Sequence, residues 1–128
     1  MIFLLTRRDH LIYDVVQMAV TPSLGEFEQV VLLAILRLGD EAYGVTIRSE
    51  IAECTGRDPA PGALYTTFDR LQQKGLVASR LGDPTPQRGG RAKRFFTVTG
   101  AGIQAVAQAQ RAYQRLLRGI SLPGVANA

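Results

Sequence analysis

Between Pro61 and Thr99 the spacing of apolar residues changes from helical to strand-like, and few architectures accommodate that change. Leu64, Phe68 and Leu71 recur at helical steps, with Thr66, Thr67, Asp69, Arg70 and Gln73 around the other side. This pattern predicts one amphipathic helix ended by Gly75, the residue type that most readily takes the left-handed cap. Leu76 to Leu81 is a strand-like mix of branched and polar residues. Gly82 to Gly90 holds two prolines and three glycines and so belongs to neither regular element. Arg91 to Thr99 resumes as a strand through Phe95, Phe96 and Val98. A helix followed by a two-stranded hairpin with an arginine-studded tip is, in outline, a winged helix. The expected fold class is mainly α with a small β-hairpin.

The segments on either side fit this frame. Ser23-Leu24-Gly25-Glu26 has the form of a capping box, and the helix it opens runs through Phe27, Val30, Val31, Leu33, Ala34, Ile35 and Leu38, apolar on nearly every side. It is expected to be the buried central helix. Tyr43, Ile47 and Ile51 then mark a second helix, Tyr43 to Thr55, stopped by Gly56. After the short connection Arg57 to Pro61, with Pro61 suited to a first helical turn, the Leu64 helix follows. Two helices joined in this way form a helix-turn-helix, whose second member enters the major groove amino end first. Thr99 is placed to cap a last helix from about Gly100 to Arg118, along which Ile103, Val106, Tyr113, Leu117 and Ile120 trace an apolar stripe. Either that stripe packs on the first helix of its own subunit, or it is a dimerisation surface. The second reading is preferred, because the first helix must already bury its sides. The expected organisation is an amino-terminal extension over 1–22 that is either a short helix or a frayed arm ahead of a start at Met18, a winged-helix domain over 23–99, a dimerisation helix over 100–120 and a tail over 121–128.

Charge supports a polyanion partner. The net charge is only +4, but Leu24 to Ala60 carries seven acids against three bases, whereas Pro61 to Ala128 carries ten bases against two acids. The single Cys54 cannot form an internal disulfide, which fits a cytoplasmic location, and the lone His10 has no second metal ligand nearby. No apolar run approaches the roughly 20 residues needed to span a bilayer. The sequence offers no paired carboxylates in an apolar basin, no Cys and His that must meet, and no glycine-rich phosphate loop after a strand, so no catalytic residue, cofactor or metal is expected.

Tyr43-Gly44-Val45, Gly62-Ala63-Leu64-Tyr65, Arg70-Leu71, Lys74-Gly75-Leu76-Val77 and Gly90 to Thr99 stand together in an order and spacing that resembles the PadR family of bacterial transcriptional regulators, over roughly Leu24 to Ile120. The resemblance implies a winged-helix repressor that binds an operator in double-stranded DNA, forms a homodimer through its carboxy-terminal helix and is often released by a small-molecule effector. By the same resemblance Tyr65, Thr66 and Arg70 match the recognition-helix face, and Arg91 and Lys93 match the wing. Thr67, on the polar side of the helix, and Arg88, on the basic tip, complete the expected DNA-binding set. Two departures stand out: Ala60 replaces the usual serine or threonine cap, and no tryptophan is present to stack a flat aromatic drug. The resulting expectation is a sequence-specific DNA-binding regulator, most simply a dimeric repressor acting by occlusion. The alternative is a winged helix used for protein contacts or nonspecific nucleic-acid binding.

Overall fold

The structure, a computed structural model, describes residues 23–83 and 92–124. The extension over 1–22, the hairpin tip with Arg88 and Arg91, and residues 125–128 lie outside the described residues. Helix α1 is Glu26–Leu38, a single 3-10 turn follows at Gly39–Glu41, α2 is Gly44–Thr55, α3 is Pro61–Gln73, strands β1 and β2 are Val77–Leu81 and Arg94–Val98, and α4 is Gly100–Leu117. The strands pair antiparallel with Val77 opposite Val98 and Leu81 opposite Arg94. The chain before α2 joins this hairpin: the Phe96 amide donates to the Ala42 carbonyl at 2.8 Å, and Tyr43 bridges to Phe95. The expected fold class, a winged helix-turn-helix of mainly α structure, is what the chain adopts.

The core forms where the four helices and the hairpin meet. Val31, Leu32 and Ile35 of α1, Ile47 and Ile51 of α2, Leu64, Phe68 and Leu71 of α3, Val77 and Phe96 of the hairpin, and Ala105 and Val106 of α4 are all buried. Phe68 stacks on Phe96 with ring centroids 4.2 Å apart, so α3 rests directly on the hairpin. Burying each such side chain contributes roughly 1.5–3 kcal/mol, against ~0–1 for an exposed ion pair, so apolar packing and not surface charge fixes α3 in place.

Three expectations about the helices need correction. The α1 cap is Gly25, not Ser23: the Gly25 amide donates to Glu28 Oε1 at 2.7 Å, while Glu26 is drawn away into an ion pair with Arg57 at 2.8 Å. The first helix is not buried all round, since Leu33 and Leu36 stay exposed on its outer side. Ile120 falls outside the last helix, which ends at Leu117 before the left-handed Gly119. Other signals held. Gly56 and Gly75 take the positive φ that ends α2 and the turn after α3, and Thr99 Oγ1 accepts from the Gly102 amide at 3.1 Å. Pro61 begins α3 with no side-chain cap at Ala60; Asp58 does not take over capping but pairs with Arg48 at 2.9 Å.

Glu28 is the most buried charged residue described, with 4% exposure. Its carboxylate takes the Lys74 ammonium at 2.8 and 2.9 Å, and that ammonium also donates to the Ser23 carbonyl at 2.8 Å. Burial pushes the Glu28 carboxyl up, but the hydrogen bonds from Lys74 and Gly25 and the charges of Lys74 and Arg70 outweigh it, and the net shift is downward. A depressed folded-state value means that the pair's stabilisation is complete above the unfolded glutamate value and is lost as pH falls through the folded one. Lys74→Met leaves a buried carboxylate unpaired and is expected to cost about 3–5 kcal/mol at neutral pH. Urea unfolding at pH 7 and pH 4 measures this, and the variant should lose less stability than the wild type on acidification.

Gly102 determines how closely α4 can approach. A Cβ at this position would collide with the Leu76 carbonyl oxygen and come within 2.7 Å of Val98 Cγ1. Because the first obstacle is backbone, it cannot rotate away. Gly102→Ala should therefore destabilise the domain by about 1–3 kcal/mol despite alanine's better helix propensity, and thermal unfolding against Gly100→Ala, which meets open space, isolates the effect.

Candidate nucleic-acid interface

The buried stripe of α3 determines which of its residues can meet a ligand. With Leu64, Thr67, Phe68 and Leu71 turned inward, the 3.6-residue period puts Gly62, Thr66, Asp69 and Gln73 at the centre of the outer face. Tyr65 and Gln72 flank this row on the hairpin side, and Ala63 and Arg70 flank it on the other. All of these are exposed. Thr67 has to be removed from the expected set: it is 4% exposed and its hydroxyl donates to the Ala63 carbonyl at 2.9 Å. Its place one step round from the Leu64–Phe68–Leu71 stripe is the reason. Among the described residues no carboxylate lies within 4 Å of the Arg70 guanidinium.

The hairpin carries three cations held on aromatic rings, of which Lys93 and Arg94 lie beside this helix. Lys93 Nζ lies 4.4 Å from the centre of the Tyr43 ring, the Arg80 guanidinium 4.6 Å from that of Phe95, and the Arg94 guanidinium 5.0 Å from that of Phe96. Stacking on rings holds these charges at the surface without neutralising them. Arg94 is also wired to α3: it donates to the Gln72 side-chain carbonyl and to Ser79 Oγ at 3.3 Å, and stands 3.8 Å from Asp69. Gln72 in turn donates to Ser79 at 3.1 Å. Arg88 and Arg91, expected on the tip, lie outside the described residues.

Tyr65 sits where the helix-turn-helix and the hairpin meet. It lines a cleft of about 380 Å³ with Tyr43, Gly44, Val45, Ala92, Lys93 and Arg94. Its ring is set edge-on to Phe68, centroids 5.4 Å apart. Asp69, Gln73 and Arg94 stand on this surface but not in the expected DNA-binding set. The first two were available from the same helical wheel that yielded Thr66. Arg94 was not, because only the strand register sets it beside Gln72.

The dimerisation stripe divides in two. Gly102, Ala105 and Val106 pack on the domain's own core, so Val106 is an intrasubunit residue. The same side of α4 continues as Tyr113, Leu116 and Leu117, which run past the body of the domain and are exposed, as are Ile103, Ile120 and Leu122. Among the described residues no group of His, Cys, Asp and Glu could hold a metal ion, and no helix is long and apolar enough to cross a membrane.

The chain resembles known regulators throughout this region. It is 35% identical over 81 residues to the transcriptional regulator Rv3488 of Mycobacterium tuberculosis, a match spanning 62% of this chain and 69% of that one. The fold is shared with a PadR family transcriptional regulator from Eggerthella lenta, at a TM-score of 0.59 and 20% identity over 90% of this chain and 93% of that one. It is also shared with F93 from STIV, a winged-helix DNA-binding protein, at a TM-score of 0.56 and 18% identity over 71% and 90% of the two chains. The model of the transcriptional regulator PadR-like family matches residues 32–108, from the middle of α1 through the hairpin into α4, and the protein belongs to that family of transcriptional regulators.

Proposed function

We propose that the protein is a dimeric repressor that reads its operator with the outer face of α3 and grips the adjoining backbone with the hairpin. The observation that carries this reading is the placement of an exposed Arg70, with no carboxylate partner among the described residues, and the polar row Thr66, Asp69 and Gln73 beside the half-buried cations Lys93 and Arg94 of the hairpin. The chemistry of the row suits base edges. Arginine can take guanine through two hydrogen bonds, glutamine can take adenine, a carboxylate can accept from the cytosine amino group, and threonine can touch a thymine methyl. Arg94, next to Asp69, offsets the repulsion between that carboxylate and the phosphates. The point-like ammonium of Lys93 suits a phosphate, and the wing arginines Arg88 and Arg91 belong to the same proposed set.

A homodimer follows from the distal half of α4. Tyr113, Leu116 and Leu117 extend the side of the helix that is buried in its first half, so a second copy is the natural cover, with Ile103 and Ile120 at its margins. Two recognition helices related by a two-fold axis would read two half-sites one helical turn apart. Occupancy of such a site excludes other proteins from it, which is repression by occlusion in the cytoplasm. A sensing function for a small-molecule effector belongs to the resemblance alone.

Footprinting on the region upstream of the protein's own transcription unit, followed by anisotropy titrations on operator and scrambled duplexes, tests the DNA reading. Arg70→Ala should weaken operator binding by about 1–3 kcal/mol and leave scrambled DNA nearly unchanged. Lys93→Ala should weaken both alike and make the salt dependence shallower by about one counterion. Equal losses on both duplexes for Arg70→Ala would assign that residue to phosphate instead.

The dimer is tested by light scattering coupled to size exclusion. Leu117→Asp should convert a micromolar dimer to monomer while leaving the thermal transition of the isolated domain near its original position, because Leu117 lies outside the intrasubunit core. A wild-type monomer at that concentration overturns the dimer.

A further inference from the structure

Gly44 opens α2, and the space a side chain would take there is already filled. A Cβ built on its backbone would lie 2.6 Å from the Tyr65 hydroxyl oxygen and 3.3 Å from Tyr65 Cζ. The first distance is well inside van der Waals contact. The tyrosine cannot yield inward, because its ring already meets Phe68, which is fully buried and stacked on Phe96. Tyr65 is exposed to solvent, so its ring can swing outward, away from the cleft it lines with Lys93 and Arg94.

We propose that Gly44 is a positioning residue for DNA binding: by presenting no side chain, it lets the Tyr65 hydroxyl lie against the first turn of α2, facing Lys93, where the two together take one phosphate of the duplex. This rests on the DNA-binding reading above and adds to it the residue that orients one of its contacts. A neutral phenol beside an ammonium is a donor pair suited to a phosphate oxygen, and such contacts fix register without reading bases. The glycine has a cost in stability, since glycine in a helix is worse than alanine. Gly44→Ala is therefore expected to move two measurements in opposite directions, with the thermal midpoint unchanged or raised and DNA binding weakened.

The experiment is a double-mutant cycle read by anisotropy on operator and scrambled duplexes, with thermal unfolding of each protein alongside. Gly44→Ala should weaken both duplexes about tenfold, the loss of a hydrogen bond to a charged group. Tyr65→Phe removes the atom that clashes, so on that background the alanine should cost less than about twofold. A tenfold loss that persists with phenylalanine at position 65, or Gly44→Ala binding as tightly as the wild type, overturns the proposal. Should Gly44→Ala fail to fold, the double variant decides: folding and binding like Tyr65→Phe alone upholds the contact, and failure to fold overturns it. Tyr65→Ala separates this inference from the reading beneath it. If Tyr65→Ala binds as the wild type does, or the wild type shows no preference for operator, the interface assignment itself fails and the positioning role goes with it. If Tyr65→Ala binds weakly while Gly44→Ala does not, only the positioning role is lost.

Discussion

The buried contact between Glu28 and Lys74 joins the start of α1 to the end of α3, and the placement of the last turn of α3 depends on it. One carboxylate does two things: it closes the amino end of α1 through the Gly25 amide, and it receives the cation at the carboxyl end of α3. The Ser23 carbonyl supplies a third partner for the ammonium. A buried pair of this kind contributes little net stability compared with apolar packing, but breaking one half is expensive, so it discriminates strongly against any other placement of α3. Packing of Leu64, Phe68 and Leu71 holds α3 to the core, and the ion pair sets where its last turn lies.

At the opposite side of α3 the coupling is to the hairpin. Phe68 on Phe96 provides an apolar contact, and Arg94, Gln72, Ser79 and Asp69 form a polar layer outside it. Helix and hairpin therefore present their polar groups as one surface, and under the proposed DNA reading a phosphate contact made by the hairpin would fix the register in which α3 meets the bases, as positioning contacts do in protein–DNA interfaces generally. The strand register is what makes this possible, because Leu81 opposite Arg94 and Ser79 opposite Phe96 bring the start of β2 over the middle of α3.

Helix α4 serves the same body differently along its length. Its first half is drawn close by Gly102 and buried through Ala105 and Val106, while its second half projects with the same side uncovered. That exposed side is the apolar surface on which the proposed dimer rests. Leu33 and Leu36 on α1 add further exposed apolar area that the domain itself does not cover.

Local signals in the chain determined the elements themselves. The apolar spacing of Leu64, Phe68 and Leu71, the capping Thr99, the stop at Gly56 and Pro61 at a first turn each act over a few residues, where sequence neighbours are also neighbours in space. The winged-helix outline and the outer face of α3 were legible for that reason, and a strict reading of the same wheel would have excluded Thr67 and included Asp69 and Gln73. Only the tertiary structure decided the rest. Whether Glu28 or Glu26 closed α1 depended on Lys74 and Arg57, which lie far along the chain from both. Val106 and Leu117 share an apolar stripe, and what separates them into core and exposed surface is where the body of the domain ends, a property of no local window. Gly44 reads in sequence only as part of the Tyr43-Gly44-Val45 run of the second helix. Its lack of a side chain acquired meaning only when folding brought the hydroxyl of Tyr65 against it, because exclusion of volume acts between residues that packing, not chain order, makes adjacent.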